Sequence, residues 1–364
     1  MILQVGKYYY PEVGGIERVV QTLAEGLVGR GREAEVIAAA NSRSSGRGSI
    51  NGVIVHRVAS HGTVQSIPLA PGVVTTLRRR YEQADVVHYH LPNPLAAVAD
   101  EVVSPDHPII VTYHSDIVKQ SWALRAYRPL LHRLLRRADA IVTTSPRLRE
   151  RSNELQRHRE KCRVIPLGID PERFRAKTSE LPDRANSDPT VLFVGRLTYY
   201  KGVEYLIDAA GEIDGEVLIA GDGPRRDSLE QRARATRGAD IEFLGYVPDE
   251  ELVDYYQAAD VFVLPSVEPS EAFGIVQLEA MATGTPVINT DLESGVPWVS
   301  QHGETGLTVP PGDPASLASA INKLFSDQAL ASEYGQAARE RVNQKFTVDG
   351  VVRAYEELYR SVQK

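Results

Sequence analysis

Residues 261–290 read Val261-Phe-Val-Leu-Pro-Ser-Val-Glu-Pro-Ser-Glu271-Ala-Phe-Gly-Ile-Val-Gln-Leu-Glu279-Ala-Met-Ala-Thr-Gly-Thr-Pro-Val-Ile-Asn-Thr290. The run Val261–Leu264 is short, apolar and rich in β-branched residues, as a strand buried on both faces must be. A helical pattern follows from about Gly274 to Ala282, and Val287–Thr290 is a second strand. Strand, helix and parallel strand form the repeating unit of a doubly wound α/β sheet.

The same alternation extends outward in both directions. Upstream lie strands at Thr190–Val194, Glu216–Ala220 and Ile241–Leu244, with helices near Val203–Ile213, Arg225–Thr236 and Glu250–Ala258. Before them, Leu167–Pro189 has linker composition, with Pro171, Pro182 and Pro189 and few large apolar side chains. The first half repeats the rhythm. Its strands are expected at Ile2–Val5, Ala34–Ala39, Val53–Val58, Val86–His90, Ile109–Tyr113, Ala140–Thr144 and Arg163–Ile165. Its helices are expected at Ile16–Val28, Val73–Gln83, Pro94–Val102 and Ala123–Arg137. Three helical patterns close the chain, and the last places Val351, Val352, Tyr355, Leu358, Tyr359 and Val362 on one face. That face needs a partner surface. The reading is therefore two doubly wound domains, residues 1–168 and 169–346, with a helix at 347–364 that crosses back to the first.

Composition agrees with this reading. A chain of 364 residues, 42% of them apolar, can build two cores. A lone cysteine, Cys162, excludes a disulfide framework and a cysteine-based zinc site. No apolar run reaches the ~20 residues that span a bilayer. The opening Met1-Ile-Leu-Gln-Val-Gly lacks a basic leader region, so a cytoplasmic protein is expected. Residues 1–168 carry a net charge of +8 and residues 169–364 a net charge of −15. A basic half suits an anionic contact, such as a membrane surface. Within it, the segment from Trp122 to Arg137 sets Leu130, Leu131, Leu134 and Leu135 against Arg133, Arg136 and Arg137, and reads as a helix after Pro129. That pattern fits an interfacial helix and equally a helix packed on the sheet.

Several residues fall where such sheets bind ligands, at the carboxyl ends of strands. Glu271 lies in the loop after Val261–Leu264, and Gly274, Ile275 and Val276 offer free amides at a helix start, a natural phosphate site. Glu279 sits further along that helix, where a carboxylate can accept bonds from two sugar hydroxyls. By itself this spacing also describes a helix with two solvated glutamates. After Thr190–Val194, Arg196 and Lys201 flank the next helix and can grip a diphosphate. After the first strand come Gly14 and Gly15, whose backbone can approach a ligand closely. His114 and Asp116 leave the strand Ile109–Tyr113. Neither half holds Gly-x-Gly-x-x-Gly, Walker A or Asp-x-Asp, which disfavours nicotinamide, P-loop and metal-dependent nucleotide-sugar chemistry. His88 and His90 share a strand face but lack an obvious third metal ligand.

Taken together, these features resemble the retaining GT-B glycosyltransferases of the family 4 type, which includes mannosyl-, rhamnosyl- and glucosyltransferases. The motifs are Gly14-Gly15, His114-Ser-Asp116, Ile165-Pro-Leu-Gly-Ile-Asp170, Gly195-Arg196 with Lys201-Gly202, Gly221-Asp-Gly-Pro224, and Glu271 with Glu279. Tyr113-His-Ser-Asp-Ile-Val-Lys-Gln120 and Ser294-Gly-Val-Pro297 look most like mannosyl- or rhamnosyltransferases of surface-polysaccharide assembly. The resemblance implies two Rossmann-like domains facing across a cleft. It implies a GDP- or UDP-linked sugar as co-substrate, a saccharide or lipid-linked acceptor, no metal or other cofactor, and no nucleic-acid partner. Arg196 and Lys201 match the diphosphate-gripping pair, Glu271 the carboxylate at the donor sugar, and Glu279 the ribose contact. His114 matches the histidine at the sugar. Gly15, Phe273, Gly274, Ile275 and Val276 match further donor contacts, and Tyr246 with Val247 matches the base-binding segment. Gly14 and Asp116 fall on the acceptor side. The location implied is the cytoplasm or the inner face of the cell membrane. A sugar-nucleotide epimerase or phosphorylase on the same plan, and a non-catalytic nucleotide-sugar-binding subunit, remain competing readings.

Overall fold

The computed structural model describes residues 1–12, 14–64, 67–116, 121–175 and 188–363, without the side chains of 121–126. The chain forms two compact units, Met1–Leu167 with Val348–Lys364, and Gly168–Thr347. Most of the stretch read as a linker lies outside the described residues.

The second unit is built on a six-stranded sheet. Its spatial order is Asp240–Gly245, Glu216–Ala220, Thr190–Val194, Val261–Leu264, Val287–Thr290, Gly306–Val309, all parallel. Numbered along the chain, this is the 3-2-1-4-5-6 order of a Rossmann sheet, whose strand order reverses between Thr190–Val194 and Val261–Leu264. The reversal leaves a crevice at the carboxyl ends of those two strands. Their residues are fully buried, which explains the unbroken apolar runs.

The first unit carries an eight-stranded sheet. Seven strands are parallel, in the order Cys162–Val164, Ala140–Thr143, Ile109–Tyr113, Val86–Leu91, Ile2–Val5, Ala34–Ala39, Val53–Val58. Gly46–Ile50 adds an antiparallel edge. Here the order reverses between Ile2–Val5 and Val86–Leu91, so the Gly14-Gly15 loop leaves one side of that second crevice.

The closing helix Val348–Val362 belongs to the first unit, where Val351, Val352, Tyr355 and Tyr359 join the core formed by Ile2, Leu23, Leu27 and Val86. Arg30 and Arg32 pin it through Glu356, at 2.8 and 3.0 Å. The packing explains Gly26, where a Cβ would lie 2.5 Å from Val352 Cγ2. Alanine in a helix is intrinsically better than glycine by about 1 kcal/mol, but overpacking costs about 1–3 kcal/mol. Gly26→Ala is therefore expected to lower the melting temperature of the otherwise native chain. In a Val352→Ala background the same change should raise it, and thermal denaturation of the four chains checks the reversal.

The helix Ser121–Arg137 runs through Pro129 rather than starting after it. Proline removes one backbone donor, and Leu131, Leu134 and Leu135 hold the segment to the core regardless. The leucine stripe is thus packed on the sheet. Arg133 pairs with Glu101 at 2.5 Å and Arg137 with Asp100 at 2.7 Å. The side chain of Trp122 lies outside the described residues. No described helix is long and apolar enough to cross a membrane.

Candidate active site

In the second unit, the two loops at the strand-order reversal meet. Lys201 Nζ lies 2.6 Å from Glu271 Oε2, with both side chains about nine-tenths buried. Two backbone features bring them together. Val267 N–H donates to the Tyr200 carbonyl at 2.8 Å. Gly202 adopts φ +65° directly against the Pro265 carbonyl, which a Cβ would approach to 2.1 Å. Only glycine fits that conformation and that gap. Ser266 Oγ also donates to Glu271 Oε2, at 3.2 Å. Both contacts use Oε2, and Oε1 of Glu271 makes no bond among the described residues.

Arg196 stands exposed on the same loop and has no side-chain partner among the described residues. Gly195, before it, has φ +158°, and a Cβ there would lie 3.3 Å from the Phe193 ring and 3.4 Å from Lys201 Nζ. Gly274 opens the helix Ile275–Thr283 at φ +70° with no side-chain cap, so the first amides stay available to an anion. One uncompensated cation, one cation shared with a carboxylate, and open helix amides converge on one sheet edge. That is an arrangement for a polyanion such as a diphosphate.

Glu279 is buried and accepts from Tyr256 Oη at 2.8 Å. Phe273 is turned inward, its ring 6.3 Å from Trp298 and 6.1 Å from Phe346, so what it offers a ligand is backbone. Val247 is buried, whereas Tyr246 is 77% exposed at the end of the strand Asp240–Gly245. The glycines of Gly221-Asp-Gly-Pro224 serve packing. A Cβ on Gly221 would meet the Gly195 carbonyl at 2.0 Å, and one on Gly223 the Leu197 carbonyl at 2.5 Å. They press one loop against the Arg196 loop.

In the first unit, His114 is buried at the end of Ile109–Tyr113, with Nε2 3.1 Å from His90 Nδ1. Asp116 Oδ1 is taken by Tyr113 Oη at 2.8 Å and Ser152 Oγ at 2.6 Å. Gly15 has open space where a Cβ would be, and Gly14 precedes the helix Gly15–Gly29 in extended conformation. His88 bridges Tyr359 Oη at 2.8 Å and Thr112 Oγ1 at 2.7 Å. His88 and His90 do share a face, yet as parts of a polar network. Among the described residues, no three His, Cys, Asp or Glu side chains are grouped to hold a metal ion.

Burial holds all three imidazoles in the neutral form, His114 down at about 4, His88 at about 3 and His90 well below its ordinary value. A free imidazole titrates near 6.5. As pH falls below that value, the unfolded chain takes up protons that the folded chain refuses, so stability declines through the window down to about 4 and 3. Hydrogen exchange of the strand Val86–Leu91, corrected for intrinsic rates, should report smaller opening free energies at about pH 5 than at about pH 7.5. Equal values would contradict the buried-neutral state.

Three contributors were not read from the sequence. Ser266 and Tyr256 orient the two glutamates, and Gln4 meets His90. The signal for Ser266 was its place two residues past a strand end. Tyr256 and Gln4 carried none.

A Rossmann-ordered unit with a diphosphate-ready crevice, together with a second, mostly parallel α/β unit, defines a nucleotide-dependent enzyme of GT-B architecture. The description "Glycosyl transferases group 1" matches residues 175–341, and "Glycosyltransferase Family 4" matches residues 13–173. The D-rhamnosyltransferase WbpZ of Pseudomonas aeruginosa is 37% identical over 95% of this chain and 92% of its own. The O-antigen chain mannosyltransferase C of Escherichia coli is 32% identical over 99% of this chain and 98% of its own. Among solved structures, sucrose-phosphate synthase from Thermosynechococcus elongatus superposes with a TM-score of 0.81 at 25% identity, covering 99% of this chain and 98% of that one. The chain belongs to this glycosyltransferase family, whose members act on nucleotide sugars.

Proposed function

We propose that the protein is a retaining, metal-independent hexosyltransferase. It moves a sugar of D-manno configuration from a GDP- or UDP-linked donor to a saccharide or lipid-linked acceptor, in surface polysaccharide or glycolipid assembly. The observation that carries this reading is the buried Lys201–Glu271 pair at the strand-order reversal, with Arg196, unpaired among the described residues, on the same loop as Lys201. The sugar is supported by the two relatives, one named for D-rhamnose and one for mannose. D-rhamnose is 6-deoxymannose, so both donors share ring stereochemistry.

The roles follow from the chemistry. The bond between the anomeric carbon and the diphosphate breaks, and negative charge grows on the leaving phosphate oxygen. Arg196 and Lys201 offset that charge, and the amides of Ile275 and Val276 add to it. An ammonium has three donors, so Lys201 can keep Glu271 while bonding a phosphate oxygen. Glu271 Oε1 then accepts a bond from a sugar hydroxyl, and Glu279 bonds the ribose. The acceptor hydroxyl attacks from the leaving-group face and passes its proton to the departing phosphate. The second unit binds the nucleotide, with its base at Tyr246–Val247. The first unit takes the acceptor near Gly14 and Asp116, while Gly15 is a donor contact and His114 meets the sugar. Contact with anionic lipid, where the acceptor is lipid-linked, falls to exposed arginines such as Arg136, because the neighbouring leucines are in the core.

The test is mass spectrometry of protein mixed with a donor panel and a lipid-linked acceptor, with excess EDTA throughout. A donor-dependent gain in acceptor mass is expected despite the chelator, and NMR of the product should show the donor's anomeric configuration. Activity lost to EDTA and restored by Mg²⁺ or Mn²⁺ would refute metal independence. Donor isomerisation without transfer would select an epimerase, and donor binding without turnover a partner subunit.

A further inference from the structure

Gln4, His90 and His114 lie on or just past three adjacent strands of the first unit. His114 Nε2 is 3.1 Å from His90 Nδ1, and His90 Nε2 is 2.9 Å from Gln4 Oε1. All three side chains are buried, and Gln4 Nε2 has no partner among the described residues. A glutamine at the centre of a parallel sheet is costly for the fold, since an apolar residue there would leave no amide unsatisfied. Its presence calls for a role outside packing.

That role is to give the chain of hydrogen bonds a direction. A neutral imidazole has one N–H and one bare nitrogen. Gln4 turns its carbonyl oxygen toward His90; an oxygen can only accept, so in this amide orientation His90 Nε2 carries the proton and His90 Nδ1 is bare. His114 must then donate through Nε2, which leaves its Nδ1 bare. Nδ1 makes no hydrogen bond among the described residues. The ring of His90 is itself held in place, 4.3 Å from His88 on one side and nearly coplanar with His114, with centroids 5.4 Å apart and planes 16° from parallel. His88 is in turn fixed by Tyr359 and Thr112.

We infer that Gln4 and His90 are positioning residues that hold His114 as the Nε2–H tautomer, so that its Nδ1 accepts a hydrogen bond from a substrate hydroxyl. This rests on the reading of His114 as a substrate contact. It deepens that reading by assigning the ligand chemistry. A bare nitrogen takes a hydroxyl and rejects a phosphate oxygen, so His114 recognises the saccharide part of a substrate.

The experiment is long-range proton–nitrogen correlation NMR of the ¹⁵N-labelled full chain, which separates protonated from bare ring nitrogens. The wild type should show His114 protonated at Nε2. Gln4→Met removes the acceptor, so the His114 signal should shift toward the other tautomer, with kcat/KM falling roughly tenfold, the worth of one hydrogen bond. Gln4→Glu restores an acceptor and should restore the tautomer. His114 protonated at Nδ1 in the wild type overturns the inference, and that spectrum decides even where a variant fails to fold. A tautomer unmoved by Gln4→Met overturns it as well. If the tautomer is as inferred but His114→Phe turns over normally, the assignment of a hydroxyl ligand falls together with the substrate-contact reading, and the relay alone survives.

Discussion

Replacing Arg196 by alanine should lower kcat/KM on the order of 100-fold, as removal of a preorganised donor to a developing oxyanion does, and leave the melting temperature unchanged. The side chain is exposed and unpaired in the described structure, so nothing in the folded protein depends on it. Lys201→Ala should cost at least as much turnover and also destabilise. Its ammonium lies 2.6 Å from Glu271, and deletion leaves a buried carboxylate with Ser266 as its one remaining side-chain partner among the described residues. The double variant Lys201→Ala with Glu271→Ala separates the two effects. Removing both charges should recover most of the melting temperature while activity stays lost, the non-additivity expected of a direct pair. Steady-state kinetics and thermal denaturation of the wild type, Arg196→Ala, Lys201→Ala, Glu271→Ala and the double variant are the measurements. Near-normal turnover in both single variants would remove the diphosphate assignment.

The physical reason that much of this was legible is burial. A parallel strand covered on both faces must be continuously apolar, so Thr190–Val194 and Val261–Leu264 announced themselves. Gly46–Ile50 did not, because Gly-Arg-Gly-Ser-Ile is an exposed edge with no apolar run. Gly306–Val309 was equally silent. It starts at a glycine with φ +157°, where a Cβ would strike the Val287 carbonyl at 1.9 Å, and such close approach is set by a distant strand. The 3-2-1-4-5-6 order is likewise long-range pairing, absent from any local pattern. For the site, charged and glycine residues at strand ends were visible, since ligand-binding loops sit there. Their partners were not. Ser266, Tyr256 and Gln4 act through atoms that only the fold brings within reach. Gly221 and Gly223, visible in the sequence only as part of the Gly221-Asp-Gly-Pro224 motif, are loop packing against Gly195 and Leu197.

Glu279→Ala should weaken binding of the bare nucleoside diphosphate by roughly 10- to 100-fold, the range for a charged hydrogen bond of about 1.5–3 kcal/mol. Glu271→Ala should leave that affinity within a few-fold and act on steps that need the sugar. The difference follows from what each carboxylate has left to offer. Glu279 is buried on its helix, fixed by Tyr256 Oη at 2.8 Å, and therefore preorganised for a rigid ribose diol. Glu271 gives Oε2 to Lys201 and Ser266, and its Oε1 has no bond among the described residues, which leaves one acceptor for a hydroxyl of the donor sugar. Titration calorimetry with the diphosphate and with the intact donor distinguishes the two roles. Tyr256→Phe, which loosens Glu279 without removing its charge, should give a smaller loss of the same kind, in the diphosphate arm as well as the donor arm. Equal losses for the bare diphosphate in Glu271→Ala and Glu279→Ala would contradict the division. They would mean that the two carboxylates act through the charge of the crevice and not through separate parts of the donor.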